Sequence, residues 1–105
     1  MAFIKISSLS DLPEGALIEI EHGGRPYAVC NVAGAVRVLD GVCPHQGGPL
    51  GQGALEEGVV TCPWHGFQFD SATGKCEFDD DLSIPVYPVR VEEGAILADL
   101  PEGDQ

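Results

Sequence analysis

The sequence predicts an all-β protein of antiparallel strands. Short apolar runs alternate with polar residues, glycines and prolines punctuate those runs, and no long helical period appears. With 105 residues, 44% apolar and 21% charged, the chain has the size and composition of a single globular domain, residues 1–105. In Ala16–His22, Ile18 and Ile20 alternate with Glu19 and Glu21, as in a half-buried strand. Gly23-Gly24 turns the chain, and Tyr27–Val32 returns as the second arm of a hairpin. Ala33-Gly34 makes the next turn, into Ala35–Leu39. Gly58–Thr61, Phe67–Asp70, Val86–Val91 and Ala95–Leu100 complete a set of roughly eight short strands, the pattern of a sandwich or small barrel. Ser8–Leu12 is the only helical hint, and Pro13 stops it.

Charge narrows the function classes. Five Lys+Arg against 17 Asp+Glu leave a formal net charge of −12, which excludes a sequence-independent grip on nucleic-acid phosphates. No apolar run approaches the roughly 18–20 residues of a membrane span. The first residues, Met1 to Ile6, lack the layout of a secretory signal. The expectation is a cytoplasmic protein with no membrane partner. In a reducing compartment, the four cysteines Cys30, Cys43, Cys62 and Cys76 suit metal ligation or core packing better than a disulfide framework.

Gly41–Gly58 breaks the strand pattern. It holds six glycines, ends included, and two prolines, and a loop of that length inside a small domain is usually functional. Here begins a pair of similar segments, Cys43-Pro44-His45-Gln46-Gly47-Gly48 and Cys62-Pro63-Trp64-His65-Gly66. Each offers a soft thiolate and an imidazole, followed by glycine that lets the chain fold tightly over an inorganic centre. Two cofactors suit this Cys₂His₂ set. A tetrahedral zinc ion would take all four ligands, although zinc modules space each pair by about two to four residues and Cys43-x-His45 is tighter. A [2Fe–2S] cluster is larger, and its irons can divide the ligands, two thiolates on one and two imidazoles on the other.

Cys43–Leu50 and Cys62–Asp70 resemble the two cluster-binding boxes of Rieske proteins, C-x-H-x-G and C-P-x-H-G. Length and the ending Tyr87 to Gly94 make the chain most similar to the small Rieske-type ferredoxins of bacterial ring-hydroxylating oxygenase systems. The resemblance implies a three-sheet β fold, with a basal part at about 1–41 and 71–105 and a cluster-binding part at about 42–70. It implies one Rieske [2Fe–2S] cluster, with Cys43 and Cys62 on the inner iron and His45 and His65 on the outer one. The implied function is a monomeric one-electron carrier that makes transient contacts with a flavin-dependent reductase and a terminal oxygenase. The alternative is a Rieske-like small subunit of a reductase complex such as assimilatory nitrite reductase. High-potential relatives carry a disulfide between the boxes and hydroxyl donors to the cluster; the corresponding positions here are Gly48, Trp64, Phe67 and Phe69. A potential near the bottom of the Rieske range is therefore expected.

Bond-making chemistry has no candidate. With His45 and His65 committed, only His22 is left, too few for a mononuclear 2-His-1-carboxylate iron site or an activated nucleophile. His22 itself reads as a solvent-facing turn residue beside Gly23-Gly24. Cys30 reads as a small buried hydrophobe, and a Cys30–Cys76 disulfide is disfavoured in a reducing compartment. Trp64 is either a shield over the cluster or a partner contact. Asp79-Asp80-Asp81 is either a solvated acidic turn or a rim that steers a basic partner.

Overall fold

A computed structural model describes residues 3–43, 47–64, 66–77 and 81–100. The described residues form ten strands in three antiparallel sheets. The strands are β1 (Ile4–Ser8), β2 (Leu17–His22), β3 (Arg25–Val32), β4 (Ala35–Asp40) and β5 (Ala54–Glu56), then β6 (Val59–Thr61), β7 (Gln68–Asp70), β8 (Val86–Tyr87), β9 (Val89–Glu92) and β10 (Ala95–Ala98). The first sheet has the order β1-β10-β9, the second β2-β3-β4-β8 and the third β5-β6-β7.

Four hairpins share one turn chemistry. Gly23-Gly24, Ala33-Gly34, Glu57-Gly58 and Glu93-Gly94 all have positive φ at both residues, between 50° and 94°. Two-residue turns of this kind match the twist of the strands they join, and glycine at the second position removes the steric cost. The pairing His22 with Arg25 at the end of β2 and β3 follows directly. His22 is thus the half-buried last residue of a strand rather than part of the turn.

The middle sheet is the shared wall of two cores. Along β3, Tyr27 and Val29 face one core with Leu12, Val38, Ile96 and Ala98. Ala28 and Cys30 face the other, with Leu39, Leu50, Val60, Phe69, Cys76 and Ile84. Alternate side chains of a strand point to opposite faces, so a strand covered on both sides reads as a continuous apolar run. Asn31 ends that run while remaining satisfied: its Nδ2 donates to the Leu12 carbonyl at 2.8 Å, and its Oδ1 accepts from the Gly34 amide at 2.8 Å.

Three further expectations change. Val86–Val91 is two strands, because Pro88 has no amide to donate and the chain there passes from the second sheet to the first. The stretch Gly41–Gly58 is not a plain loop: it contains a 3-10 turn at Leu50–Gln52 and the edge strand β5. The hint at Ser8–Leu12 is a 3-10 turn of three residues, Leu9–Asp11.

Candidate metal centre

Two loops rise from one of the cores. The first, Cys43–Gly48, is closed at its base by an antiparallel bridge between Val42 and Pro49. The second, Cys62–Phe67, is closed by the pair Thr61 and Gln68 at the ends of β6 and β7. The loops are equal in length, and they are closed by the same two hydrogen bonds. In each, the cysteine amide donates to the carbonyl five residues on: Cys43 to Gly48 at 2.9 Å and Cys62 to Phe67 at 2.7 Å. In each, the amide of the glycine four residues on donates back to the cysteine carbonyl: Gly47 to Cys43 at 2.7 Å and Gly66 to Cys62 at 3.1 Å. Both glycines have positive φ, 79° and 74°, a conformation that costs a side-chain-bearing residue far more.

Both cysteines are buried, Cys43 at 1% and Cys62 at 3% exposure, and both belong to the core of Leu50, Val60 and Phe69. None of the four cysteines is in a disulfide. Where the loops meet, a β-carbon built on Gly48 would stand 2.6 Å from the Cys62 sulfur and 3.1 Å from Cγ of Trp64. Glycine at this position lets one loop pack directly against the sulfur of the other. Two thiols sunk into an apolar floor, at matching positions of twin loops, fit a cluster held from both sides. His45 and His65 belong to the same two segments by sequence and lie outside the described residues, as do Asp79 and Asp80. Among the described residues, no group of three or more His, Cys, Asp or Glu side chains forms a metal site.

The other two thiols lie in the same core but outside the two loops. Cys30, on β3, is fully buried, and burial pushes its thiol above the usual range, against the opposing pull of the Ser71 hydroxyl and Arg37. That keeps it a neutral, inert thiol. Arg37 Nη1 donates to Ser71 Oγ at 2.9 Å, tying β4 to the turn after β7. Cys76 bridges Phe69 beside the third sheet. At the entry to the first loop, the Gly41 amide donates to Asp40 Oδ1 at 3.1 Å; burial raises the Asp40 carboxyl, while Arg25 and this amide oppose the rise. Phe69 is fully buried in the apolar floor and, like Phe67, carries no hydroxyl to donate.

Sequence reasoning singled out the ligand types but missed the equivalence of the loops, because the histidines stand two and three residues after their cysteines. The available signal was glycine four residues after each cysteine. Trp64, in turn, is 55% exposed yet rests partly on Gly48.

A model of the Rieske [2Fe-2S] domain matches residues 2–88. The ferredoxin component of biphenyl 2,3-dioxygenase from Rhodococcus jostii (strain RHA1) is 35% identical over 104 residues, covering 98% of this chain and 97% of that protein. Among solved structures, Sphingomonas yanoikuyae B1 ferredoxin superposes with a TM-score of 0.86 at 30% identity, covering 95% of this chain and 100% of its own. A Mycobacterium tuberculosis protein described as an NADH-dependent nitrite reductase small subunit superposes with a TM-score of 0.83 at 25% identity, covering 92% and 93%.

Proposed function

The chain belongs to the Rieske [2Fe–2S] domain family, and from that premise we propose that it carries single electrons from a flavin-dependent reductase to a terminal ring-hydroxylating oxygenase. One Rieske-type cluster is its cofactor, which sets aside the single-zinc reading. When bound, that group takes up and releases one electron without bond-making chemistry on a substrate. The protein is thus an electron-transfer component and not itself a catalyst. In our reading Cys43 and Cys62 hold one iron, and His45 and His65 hold the other.

The observation that carries this reading is the pair of equal, identically closed loops, each with its cysteine sunk into one apolar core. Their backbone hydrogen bonds fix the path of each loop around its cysteine, and both cysteines are shielded from water by the core. A small change in geometry between oxidation states favours fast electron transfer, and such closed loops limit that change. Both a dioxygenase ferredoxin component and a nitrite reductase small subunit match nearly end to end, and the higher identity to the former, 35% against 25%, supports a free-standing carrier over a subunit of a larger reductase. Among the described residues, no helix is long and apolar enough to cross a membrane.

The acidic charge bears on how a partner is met. From Val38 to Val89 the only cation is Lys75, whereas Glu56, Glu57, Asp70, Glu77 and Asp79 to Asp81 all lie in that span. Glu56, Glu57 and Glu77 line one groove beside the third sheet. Such a surface speeds encounter with a basic partner face and orients it. The test is rapid mixing of the reduced protein with an oxidised ring-hydroxylating oxygenase under anaerobic conditions. The expected result is one electron delivered per protein, with a second-order rate that falls steeply as salt rises from low to physiological strength. No delivery at any ionic strength, or co-purification as an inseparable subunit of a reductase, would contradict it.

A further inference from the structure

Trp64 is the most exposed large hydrophobic residue among those described, at 55%, yet its neighbour in sequence Cys62 is only 3% exposed. The two facts meet at Gly48. The α-carbon of Gly48 faces the Cys62 sulfur and the Trp64 ring so closely that an added β-carbon would stand 2.6 Å from the sulfur and 3.1 and 3.2 Å from Cγ and Cδ2 of the indole. Gly48 is the last residue of the first loop; Cys62 and Trp64 belong to the second. The hydrogen bonds that close each loop are internal to it, whereas this contact crosses the seam between them.

We propose that Trp64 is a positioning residue: its indole, laid across Gly48, is a non-covalent clasp that holds the second loop against the first and fixes the Cys62 sulfur in the seam. The buried part of the ring does this, which accounts for an aromatic residue that leaves most of its surface in water. An indole offers a large rigid face with few rotatable bonds, so it can span two loops at small entropic cost. Glycine opposite is required because any side chain there would take the space of the ring and the sulfur. The proposal rests on the reading that both loops hold one cluster, and it assigns Trp64 a role in the free protein, separate from any contact with a partner.

The test compares wild-type holoprotein with Trp64→Ala, Trp64→Phe and Gly48→Ala. The readouts are the rate of bleaching of visible absorption by excess iron chelator and the EPR line shape of the reduced protein. Trp64→Ala is expected to lose iron about three- to tenfold faster than wild type, as loss of an aromatic contact predicts, with EPR lines broadened by a spread of loop geometries. Trp64→Phe, which keeps a flat ring, is expected to stay within about twofold of wild type. Gly48→Ala should behave like Trp64→Ala because its β-carbon forces the loops apart. Bleaching of Trp64→Ala at the wild-type rate with unchanged EPR lines overturns the clasp. Should Trp64→Ala be isolated without iron, Trp64→Phe decides: near-wild-type retention supports the clasp and alanine-like loss overturns it. Wild-type protein without iron and sulfide would overturn the functional reading together with the clasp.

Discussion

Cys62→Ser is expected to leave the protein folded but nearly colourless. The Cys62 amide and carbonyl close the second loop through Phe67 and Gly66, and neither bond involves the side chain. The substitution therefore spares the loop and removes only the soft donor. A serine hydroxyl stays protonated near neutral pH and is a hard oxygen ligand, poorly suited to an iron–sulfur centre. Even changes beyond the direct ligands cost about 10- to 100-fold in metal affinity, so bound iron should fall below roughly a tenth of the wild-type content. Cys30→Ser is the informative control. That thiol is buried on β3 among Ser71 and Arg37, and its raised pKa keeps it neutral. It should retain colour. Iron and sulfide analysis with visible absorption makes the comparison; full iron in Cys62→Ser would remove Cys62 from the ligand set.

Phe69→Ala is expected to have the largest effect on stability. Phe69 is fully buried, pairs with Val60 across β6 and β7, and bridges Cys76. It packs in the same core as Cys43 and Cys62, so it is part of the floor beneath both loops. Truncating a buried phenylalanine costs about 3–5 kcal/mol, from lost transfer energy and from the cavity left behind. Against a total of about 5–15 kcal/mol for a domain, that is a large fraction. Val91→Ala, at a position 42% exposed on β9, should change stability by less than about 0.5 kcal/mol. Denaturant midpoints of the two variants provide the check. A Phe69→Ala midpoint indistinguishable from that of Val91→Ala would mean that the cysteines do not rest on this core.

The parts of the fold written into the sequence are those set by local chemistry. Ile18 and Ile20 against Glu19 and Glu21, followed by Gly23-Gly24, mark a hairpin because the period and the turn agree. The parts that were not legible depend on distant partners. β1 pairs with β10 at the other end of the chain, and nothing near Ile4 signals that. β5 lies in a glycine-rich stretch, and its pairing through Glu57-Gly58 shows only when the positive φ of that turn is known. Val86–Val91 reads as one apolar-rich run in sequence, while its halves on either side of Pro88 lie in different sheets.

The site divides in the same way. Cysteine and histidine announce themselves by their chemistry and their clustering, so the ligand types could be read directly. The matched closure of the loops could not, since it resides in backbone bonds that ignore the unequal histidine spacing. Nor could the position of Trp64, which depends on the absence of a side chain at Gly48 in another loop.

Pulsed EPR of the reduced protein grown with ¹⁵N-histidine addresses the ligand assignment most directly, because nuclear spin coupling reports which atoms are bonded to iron. Two strong nitrogen couplings that change with the label, one disappearing in His45→Ala and the other in His65→Ala wherever those variants keep iron, are the predicted result. A reduced spectrum with no histidine nitrogen coupling would contradict it.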